Sequence, residues 1–333
     1  MVKAFVFGKF LPFHTGHEAL IRFALSKCDF LTVLVCCSDK EAIDGSLRKS
    51  WIEESFADHK ILDIRIMNYN EDELPNTSVS SREVSKVWSD QFKVLLPDYN
   101  LLITSEPYGD YVAEFMGIKH ICFDRERKMV PVSATAIRNN TVANWNFLSK
   151  GAKPFFCVKV VLLGTESTGK STIANKLAQH YACSIVAETG RDLIPDSKTL
   201  VYDDLVLVAD EHAKRITDAV AGDNLLVIID TDVHITKSYS RFIFNKELKV
   251  DADIMQANQA HLYLYLNNDA TYFQDGTRLE AEARDRLDLS HRKILGENNI
   301  RYVEIKGNWT ERFEKACECI DELLSRESKR IKL

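Results

Sequence analysis

The 333-residue sequence predicts an α/β protein made of two parallel-sheet domains. Short apolar runs alternate with amphipathic helical patterns over residues 1 to about 145, and the alternation restarts at Val158. Between these stretches, residues 149–154 contain both glycine and proline and predict a boundary, with one domain over 1–148 and the other over 155–333. Ligands of such sheets bind at the carboxyl ends of the strands. The residues that follow each strand are therefore the candidate site.

The predicted elements follow from the period of the apolar residues. Strand-like runs in the first domain are 2–7, 31–37, 61–67, 101–105 and 118–123, with helical patterns such as 48–56 and 82–96 between them. In the second domain the strands are 158–163, 184–187, 225–230, 261–266 and 301–305, and the helices include 205–221 and 310–324. Strands joined by helices predict parallel sheets with right-handed crossovers.

The strand at 158–163 leads into residues 164–171, which match the phosphate-binding P-loop G-x-x-x-x-G-K-[ST]. The glycines let backbone N–H groups turn toward phosphate oxygens, and the next helix adds positive potential at its N-terminus. Lys170 is expected to pair with the β- and γ-phosphates of ATP, and Ser171 to hold Mg²⁺. The other predicted ATP-binding residues of this domain are Gly164, Glu166, Ser167, Thr168, Gly169 and Thr172.

Further candidates of the second domain also follow strands. Asp230 ends the apolar strand 225–230, which is typical of a carboxylate that helps to hold Mg²⁺, and Asp232 is expected to contact the substrate. Glu188 and Arg191 follow another strand and should reach the same sheet edge. Residues 275–278 open a charged helix and predict a lid that brings Arg278 to the phosphates of ATP on closure.

The first predicted strand runs into residues 8–17, a loop that carries His14 and His17 just before a helix. Two imidazoles at a helix N-terminus can each donate a hydrogen bond to phosphate oxygens, and Gly16 lets a ligand approach the backbone. Lys9 should add charge near the α- or β-phosphate. Taken alone, the two histidines also fit exposed turn residues or half of a metal site.

A second segment of the first domain, residues 132–138, contains groups suited to a triphosphate. Ser133 and Thr135 fit the N-cap and first turn of a short helix, and Arg138 follows one turn later. Hydroxyls, amide N–H groups and a guanidinium together suit the β- and γ-phosphates of a nucleotide.

Together, G-K-F-x-P-x-H-x-G-H at 8–17 and S-x-T-x-I-R at 133–138 resemble the nicotinamide mononucleotide (NMN) adenylyltransferases of the nucleotidylyltransferase superfamily. Followed by the P-loop, they resemble the NadR-type bifunctional family, in which this adenylyltransferase is coupled to a ribosylnicotinamide kinase. The resemblance covers nearly the whole chain. It implies a Rossmann-like nucleotidylyltransferase domain before a P-loop kinase domain, with ATP as co-substrate, Mg²⁺, and conversion of nicotinamide riboside through NMN to NAD.

The resemblance also implies roles for single residues. Catalytic roles fall to Lys9, His14, His17 and Arg138 in adenylyl transfer and to Lys170 and Asp230 in the kinase. In the adenylyltransferase domain, ATP would contact Gly8, Phe10, Gly16, Ser133 and Thr135, and NMN would contact Arg48, Trp51 and Trp88. In the kinase domain, the riboside would contact Glu188, Arg191 and Asp232. A tryptophan in a helix is, however, more often a packing residue.

Composition and charge limit the classes of function that the chain can have. The net charge of −6 and the absence of a long basic run before the C-terminal tail argue against nucleic-acid binding as the main task. Enteric members of the family carry an N-terminal helix-turn-helix domain, which we do not expect here because the first strand begins at Val2. No signal peptide or long apolar stretch appears, so a cytoplasmic protein without membrane insertion is expected. The eight scattered cysteines fit reduced thiols, and a homo-oligomer stays open.

Two other functions remain compatible with the motifs. One is an adenylyltransferase for another acceptor, such as a pantetheine phosphate, joined to an unrelated small-molecule kinase. The other is a nucleotide-sensing module that signals to a transporter or regulator. Phosphate-binding groups in both domains argue against a pure sensor.

Overall fold

The computed structural model describes residues 1–76, 81–194, 199–269 and 281–329, and the chain divides into two compact units. Unit 1 comprises Met1–Phe155 together with Ser328 and Lys329, and unit 2 comprises Phe156–Glu327. Each unit contains one five-stranded sheet in which all the pairings are parallel. The predicted α/β class with two parallel-sheet domains is therefore confirmed.

The boundary region differs from a plain linker. Ser149 and Lys153 are buried, and α6 (Lys153–Phe156) begins inside the predicted 149–154 segment. Ser328, which the sequence assigned to the second domain, belongs to unit 1 because its carbonyl accepts the Thr141 N–H at 2.9 Å.

The sheet of unit 1 has the order β3-β2-β1-β4-β5. Its strands are β1 Lys3–Gly8, β2 Phe30–Ser38, β3 Leu62–Tyr69, β4 Leu101–Thr104 and β5 Lys119–Cys122. Its helices are α1 Thr15–Leu25, α2 Gly45–Phe56, α3 Arg82–Leu95, α4 Tyr108–Met116 and α5 Ala134–Asn139, with a 3₁₀ turn at Trp145–Phe147.

The strand order of unit 1 places its ligand crevice. The chain winds one way from β1 to β3 and the other way from β4 to β5, so the loops after β1 and β4 diverge at the carboxyl edge. The middle of the sheet is apolar, with Phe5 and Leu102 fully buried. The crevice therefore opens beside the histidine loop that follows β1.

The sheet of unit 2 has the order β10-β9-β6-β8-β7. Its strands are β6 Val158–Leu163, β7 Ser184–Val186, β8 Leu226–Asp230, β9 Leu262–Leu266 and β10 Val303–Ile305. Its helices are α7 Lys170–Tyr181, α8 Gly190–Leu193, α9 Tyr202–Ala221, α10 Val233–Phe244, α11 Ala252–Ala257, α12 Ala281–Glu297 and α13 Trp309–Glu327.

Two features of unit 2 matter for its site. β6 and β8 are neighbours, so the P-loop after β6 lies beside the carboxylate that ends β8. Helices α10 and α11 were absent from the predicted elements, although Asp232 is a suitable N-cap for the first of them. Within the described ranges, none of the helices is both long enough and apolar enough to cross a membrane.

Candidate active sites

In unit 1, His14 and His17 form a stacked pair at the start of α1. His14 is the N-cap of the helix, and its Nδ1 accepts the Gly16 N–H at 3.0 Å. The two ring centroids lie 3.7 Å apart with an interplanar angle of 26°. A Cβ at position 16 would lie 2.8 Å from the His14 ring, so Gly16 is needed for the ring to fold over the helix start.

The environment keeps both imidazoles neutral. Burial, together with the charges of Arg127 and Arg138, lowers the pKa of His14 to about 3. Burial also lowers the pKa of His17 well below its usual value, with further contributions from His14 and the same arginines. Because the Nδ1 of neutral His14 accepts a hydrogen bond, its proton is on Nε2. Such rings bind anions as uncharged N–H donors.

Helix α5 meets the histidine loop through Arg138. Its Nη1 donates to the Leu11 carbonyl at 2.6 Å, and its Nη2 donates to Thr135 Oγ1 at 2.9 Å. Ser133 is the N-cap of α5, and its Oγ accepts the Ala136 N–H at 3.0 Å. The structure thus brings the two motifs of the first domain together.

These residues line a cavity of about 240 Å³. Its predicted lining residues are Gly8, Lys9, Phe10, His14, Gly16, His17, Ser133, Thr135 and Arg138. A second cavity of about 190 Å³ is lined partly by Tyr69 and Trp88. Both cavities contact Phe7, Gly8, Lys9 and Tyr108, so the two spaces adjoin along the end of β1.

The three residues proposed for NMN have different locations. Trp88 lines the smaller cavity, and its Nε1 donates to the Pro75 carbonyl at 3.2 Å. Trp51 is only 2% exposed, and its ring packs 5.7 Å from that of Phe155. Neither Trp51 nor Arg48 lines the two cavities.

Arg48 instead organises the wall of the site from behind. It is 1% exposed, pairs with Glu41 at 2.6 Å and donates to the Ile43 carbonyl at 2.6 and 2.9 Å. Its Nη1 donates to the Lys9 carbonyl at 3.1 Å. Glu41 also pairs with the Lys9 ammonium at 2.8 Å, so Arg48 positions Lys9 through two contacts.

Sequence reasoning missed Arg127, which lines the larger cavity beside the histidines. Its Nη2 donates to Glu106 Oε1 at 2.7 Å, which connects the loops after β5 and β4. The available sequence signal was its place in the loop that follows the predicted strand 118–123. In the structure Asp124 and Arg127 both have a left-handed backbone, with φ of 43° and 51°.

In unit 2, the P-loop has the backbone that its glycines permit. Gly164 and Gly169 have φ of 136° and 88°, and Ser167 has φ of 62°. A Cβ on Gly169 would lie 2.3 Å from the ring of Trp309, and one on Gly164 would lie 2.5 Å from the Leu266 carbonyl oxygen. Both positions therefore require glycine.

The reactive groups of this loop are buried and close together. Lys170 Nζ donates to the carbonyls of Gly164 and Thr165 at 2.9 and 3.0 Å. Ser171 Oγ donates to Asp230 Oδ2 at 2.5 Å. Burial raises the pKa of Asp230, while the charge of Lys170 and the Ser171 hydroxyl oppose this shift.

Several buried oxygens around the P-loop have no hydrogen-bond partner among the described residues. They are Thr165 Oγ1, Ser167 Oγ, Asp230 Oδ1 and Thr231 Oγ1. An unpaired buried polar atom is unfavourable by about 1–3 kcal/mol, so proteins rarely gather several without a ligand to satisfy them. The cluster marks this strand edge as a binding site.

The other P-loop residues hold the loop in shape. Glu166 Oε1 accepts the Tyr239 hydroxyl at 3.0 Å, and Thr168 Oγ1 donates to the Thr165 carbonyl at 2.8 Å. Arg312, which sequence reasoning missed, donates to the Thr168 carbonyl at 2.8 Å. Thr172 lies exposed on the first turn of α7.

The residues proposed for the riboside lie near this edge. Arg191 Nε donates to Glu188 Oε2 at 2.8 Å, and the charges of both residues act on the pKa of Asp230. Asp232 is fully buried as the N-cap of α10 and accepts the backbone N–H groups of His234 and Ile235. Its second oxygen contacts His234 Nδ1 at 2.6 Å, so Asp232 positions α10. Arg278 and the predicted lid residues 275–277 lie outside the described residues.

The geometry does not favour the metal alternative for the histidines. The rings of His14 and His17 stack face to face instead of converging on one point. Within the part of the chain that the structure describes, no group of three or more His, Cys, Asp or Glu side chains could hold a metal ion.

Two parallel sheets, one followed by a P-loop and the other by paired histidines, define a protein with two candidate nucleotide sites. A family model described as an AAA domain matches residues 159–312, which include the P-loop and Asp230. The trifunctional NAD biosynthesis/regulator protein NadR of Salmonella typhimurium is 30% identical to this chain over an alignment that covers 96% of this chain and 82% of that protein. NadR of Escherichia coli matches with the same identity and coverage. The chain belongs to the NadR family, which confirms the identification made from the motifs.

Solved structures agree in fold. A NadR protein in complex with NR has a TM-score of 0.72 and 21% identity, covering 97% of this chain and 96% of that chain. A NadR protein in complex with NAD and AMP-PNP also has a TM-score of 0.72, with 20% identity, covering 100% of this chain and 97% of that chain.

Proposed function

We propose that the chain catalyses two ATP-dependent steps of NAD synthesis, with the phosphorylation of nicotinamide riboside in unit 2 and adenylyl transfer to NMN in unit 1. Family membership supports both steps, since the curated NadR relatives are NAD biosynthesis proteins. Solved NadR proteins bind NR in one case and NAD with AMP-PNP in the other. The steps also fit in series, because the product of the kinase is the acceptor of the transferase.

The observation that carries the adenylyl step is the pair of adjoining cavities at the end of β1. The larger cavity contains the neutral imidazoles and Arg138, which suit a triphosphate. The smaller cavity, with Trp88 and Tyr69, suits a nicotinamide ring against aromatic faces. Lys9 lines both, where the α-phosphate of ATP and the phosphate of NMN would meet.

Adenylyl transfer needs no nucleophile from the protein, because an NMN phosphate oxygen attacks the α-phosphorus of ATP and pyrophosphate leaves. The work of unit 1 is to position both substrates and to stabilise the charge that develops on the phosphates. His14 and His17 would donate N–H groups to the triphosphate, and Arg138 and Lys9 would supply positive charge. We therefore propose that unit 1 is a Rossmann-like nucleotidylyltransferase domain.

In unit 2, Lys170 would leave the loop carbonyls and bind the phosphates of ATP. Ser171 and Asp230 fit a Mg²⁺ ion, since both offer oxygen ligands and Asp230 Oδ1 is buried without a partner among the described residues. The bound ion would neutralise charge on the phosphates. Glu188 and Arg191 are the groups best placed to orient the riboside. For Arg278 the proposed role, contact with the phosphates of ATP from a lid, rests on the sequence resemblance alone.

Purified protein incubated with ATP and Mg²⁺ tests the proposal. With nicotinamide riboside, chromatography should detect NMN and then NAD; with NMN, it should detect NAD and pyrophosphate in equal amounts. Phosphopantetheine and other nucleosides serve as competing acceptors. Turnover of a competitor without turnover of the nicotinamide substrates would refute the proposed acceptor, and the absence of any turnover would favour a sensor.

A further inference from the structure

His291 is a buried histidine of unit 2 that no step above uses. It lies on α12 with 0% exposure, and neither Nδ1 nor Nε2 has a hydrogen-bond partner in the described part of the chain. Leaving a buried polar group unsatisfied is unfavourable by about 1–3 kcal/mol. A leucine or phenylalanine would fill the space without this penalty, so packing alone does not account for a histidine here.

The location of His291 links it to the P-loop. Its ring centroid lies 5.4 Å from that of Tyr239, and the Tyr239 hydroxyl donates to Glu166 of the P-loop at 3.0 Å. One residue earlier on each helix, Ser238 Oγ donates to Ser290 Oγ at 2.8 Å, which ties α10 to α12 at this level. The imidazole is therefore linked to the P-loop through the side chain of Tyr239.

The electrostatic environment agrees with this location. Burial, together with the charge of Lys170, lowers the pKa of His291 to about 3. The ring therefore stays neutral near pH 7 and presents one N–H donor. A neutral donor can lie beside the P-loop lysine without repelling it and can still bind an anion.

We propose that His291 is a phosphate-binding residue of the P-loop site, where its imidazole N–H donates a hydrogen bond to a phosphate oxygen of the bound nucleotide or of the phosphorylated product. The inference rests on the proposed kinase function of unit 2. It gives the N–H of the unpaired imidazole a partner that arrives with the ligand. It also implies that α12 contributes directly to the site.

Two substitutions separate this role from packing. His291→Leu removes the donor at similar volume, whereas His291→Gln keeps an amide N–H donor. His180→Leu, at an exposed position on α7, is the matched control. The rate of riboside phosphorylation, the KM for ATP, inhibition by NMN and the thermal midpoint are measured for each, with adenylyl transfer by unit 1 as the internal check on folding.

His291→Leu should weaken ATP use or NMN inhibition by about tenfold or more, the range for a hydrogen bond to a charged group. Its thermal midpoint should be unchanged or higher, because an unpaired buried polar group is removed, and His291→Gln should retain most of the activity. An effect on ATP alone assigns the contact to the nucleotide, and an effect on NMN alone assigns it to the product. Unchanged kinetics in a folded His291→Leu variant would overturn the proposal.

A measurement on the unaltered protein covers the case in which His291→Leu does not fold. The imidazole ¹⁵N resonances of His291, assigned by their loss in His291→Gln, should shift on addition of AMP-PNP or NMN. No shift with either ligand contradicts the proposal. Because this readout needs no turnover, a shift in a protein that does not phosphorylate nicotinamide riboside supports the His291 contact while refuting the proposed substrate.

Discussion

The two proposed sites of this chain would bind phosphate by different means. In unit 1 the groups are side chains: the stacked imidazoles of His14 and His17, with Arg138 beside them. In unit 2 the phosphate-binding groups would be mainly backbone N–H groups of the P-loop, together with the side chain of Lys170. The positive φ angles of Gly164 and Gly169 shape this loop. Side-chain sites tolerate changes of backbone but depend on the protonation of each group. Sites built from backbone N–H groups depend on the shape of the loop, and their affinity does not change with pH through titration of the binding groups.

The sites also differ in how their charges are balanced before a ligand arrives. In unit 1 two of the cations already have carboxylate partners, Lys9 with Glu41 and Arg127 with Glu106. Arg138 instead donates to the Leu11 carbonyl and to Thr135. In the described part of unit 2 the ammonium of Lys170 has only carbonyl partners, and Asp230 keeps one buried oxygen unpaired. Ligand binding should therefore rearrange ion pairs in unit 1 and satisfy unpaired atoms in unit 2.

The largest expected effect tests whether the sites act independently. Lys170→Ala should lower riboside phosphorylation by about 10²–10³-fold, because it removes a preorganised charge at the phosphates. Adenylyl transfer to NMN should persist, since His14 and His17 belong to the other unit. Lys176→Ala, an exposed lysine of the same helix, is the control. Equal loss of both activities in a folded variant would rule out two independent sites.

The reciprocal test removes a donor from unit 1. His17→Ala should lower NAD formation from NMN by about 10²-fold while riboside phosphorylation continues, because one uncharged donor to the triphosphate is lost. His59→Ala, at an exposed position after α2, should leave both rates unchanged. A tightly bound stoichiometric metal in Mg²⁺-free protein that disappears in His17→Ala would support a metal site instead.

A third prediction separates structural from substrate-binding residues in unit 1. Arg48→Lys should lower the free energy of unfolding by about 2 kcal/mol, because a lysine cannot replace the hydrogen bonds to Glu41 and Ile43. The KM for NMN should stay nearly constant, whereas Trp88→Leu should raise it. Denaturation is followed by tryptophan fluorescence in a Trp309→Phe background, in which the remaining tryptophans, Trp51, Trp88 and Trp145, all belong to unit 1. A large rise in KM with unchanged stability would restore Arg48 as an NMN ligand.

The smallest expected effect concerns pH. The pKa of His14 is 6.5 when unfolded and about 3 when folded, so below pH 6.5 the unfolded chain binds a proton that the folded chain does not. The contribution of His14 to stability is therefore complete above pH 6.5 and is lost progressively as the pH falls toward about 3.

His14→Asn keeps an N-cap but removes this titration. Between about pH 7.5 and about pH 5.5, its free energy of unfolding should fall by about 1.4 kcal/mol less than that of the unaltered protein. The same fluorescence measurement gives both values, and His59→Asn is the control. Identical pH dependence in His14→Asn and the unaltered protein would show that His14 is not held neutral.

The sequence alone determined the features that short segments encode. The P-loop needs glycines at fixed spacing after a strand, and the histidine loop needs its residues at the start of a helix, so both motifs were recognisable without a structure. The alternation of apolar strand-like runs with amphipathic helical patterns likewise predicted the two parallel sheets. These features depend on neighbours in the chain, which a sequence displays directly.

Tertiary structure decided what depends on burial and on distant partners. Arg48 and Trp88 were equivalent candidates in the sequence, but one is buried behind Lys9 and the other lines a cavity. The neutral state of His14 arises because folding removes water and brings Arg138 close. His291 carried no motif, and it became informative only when α12 placed it beside Tyr239 and the P-loop. Desolvation and long-range contacts act through space, and the order of residues does not display them.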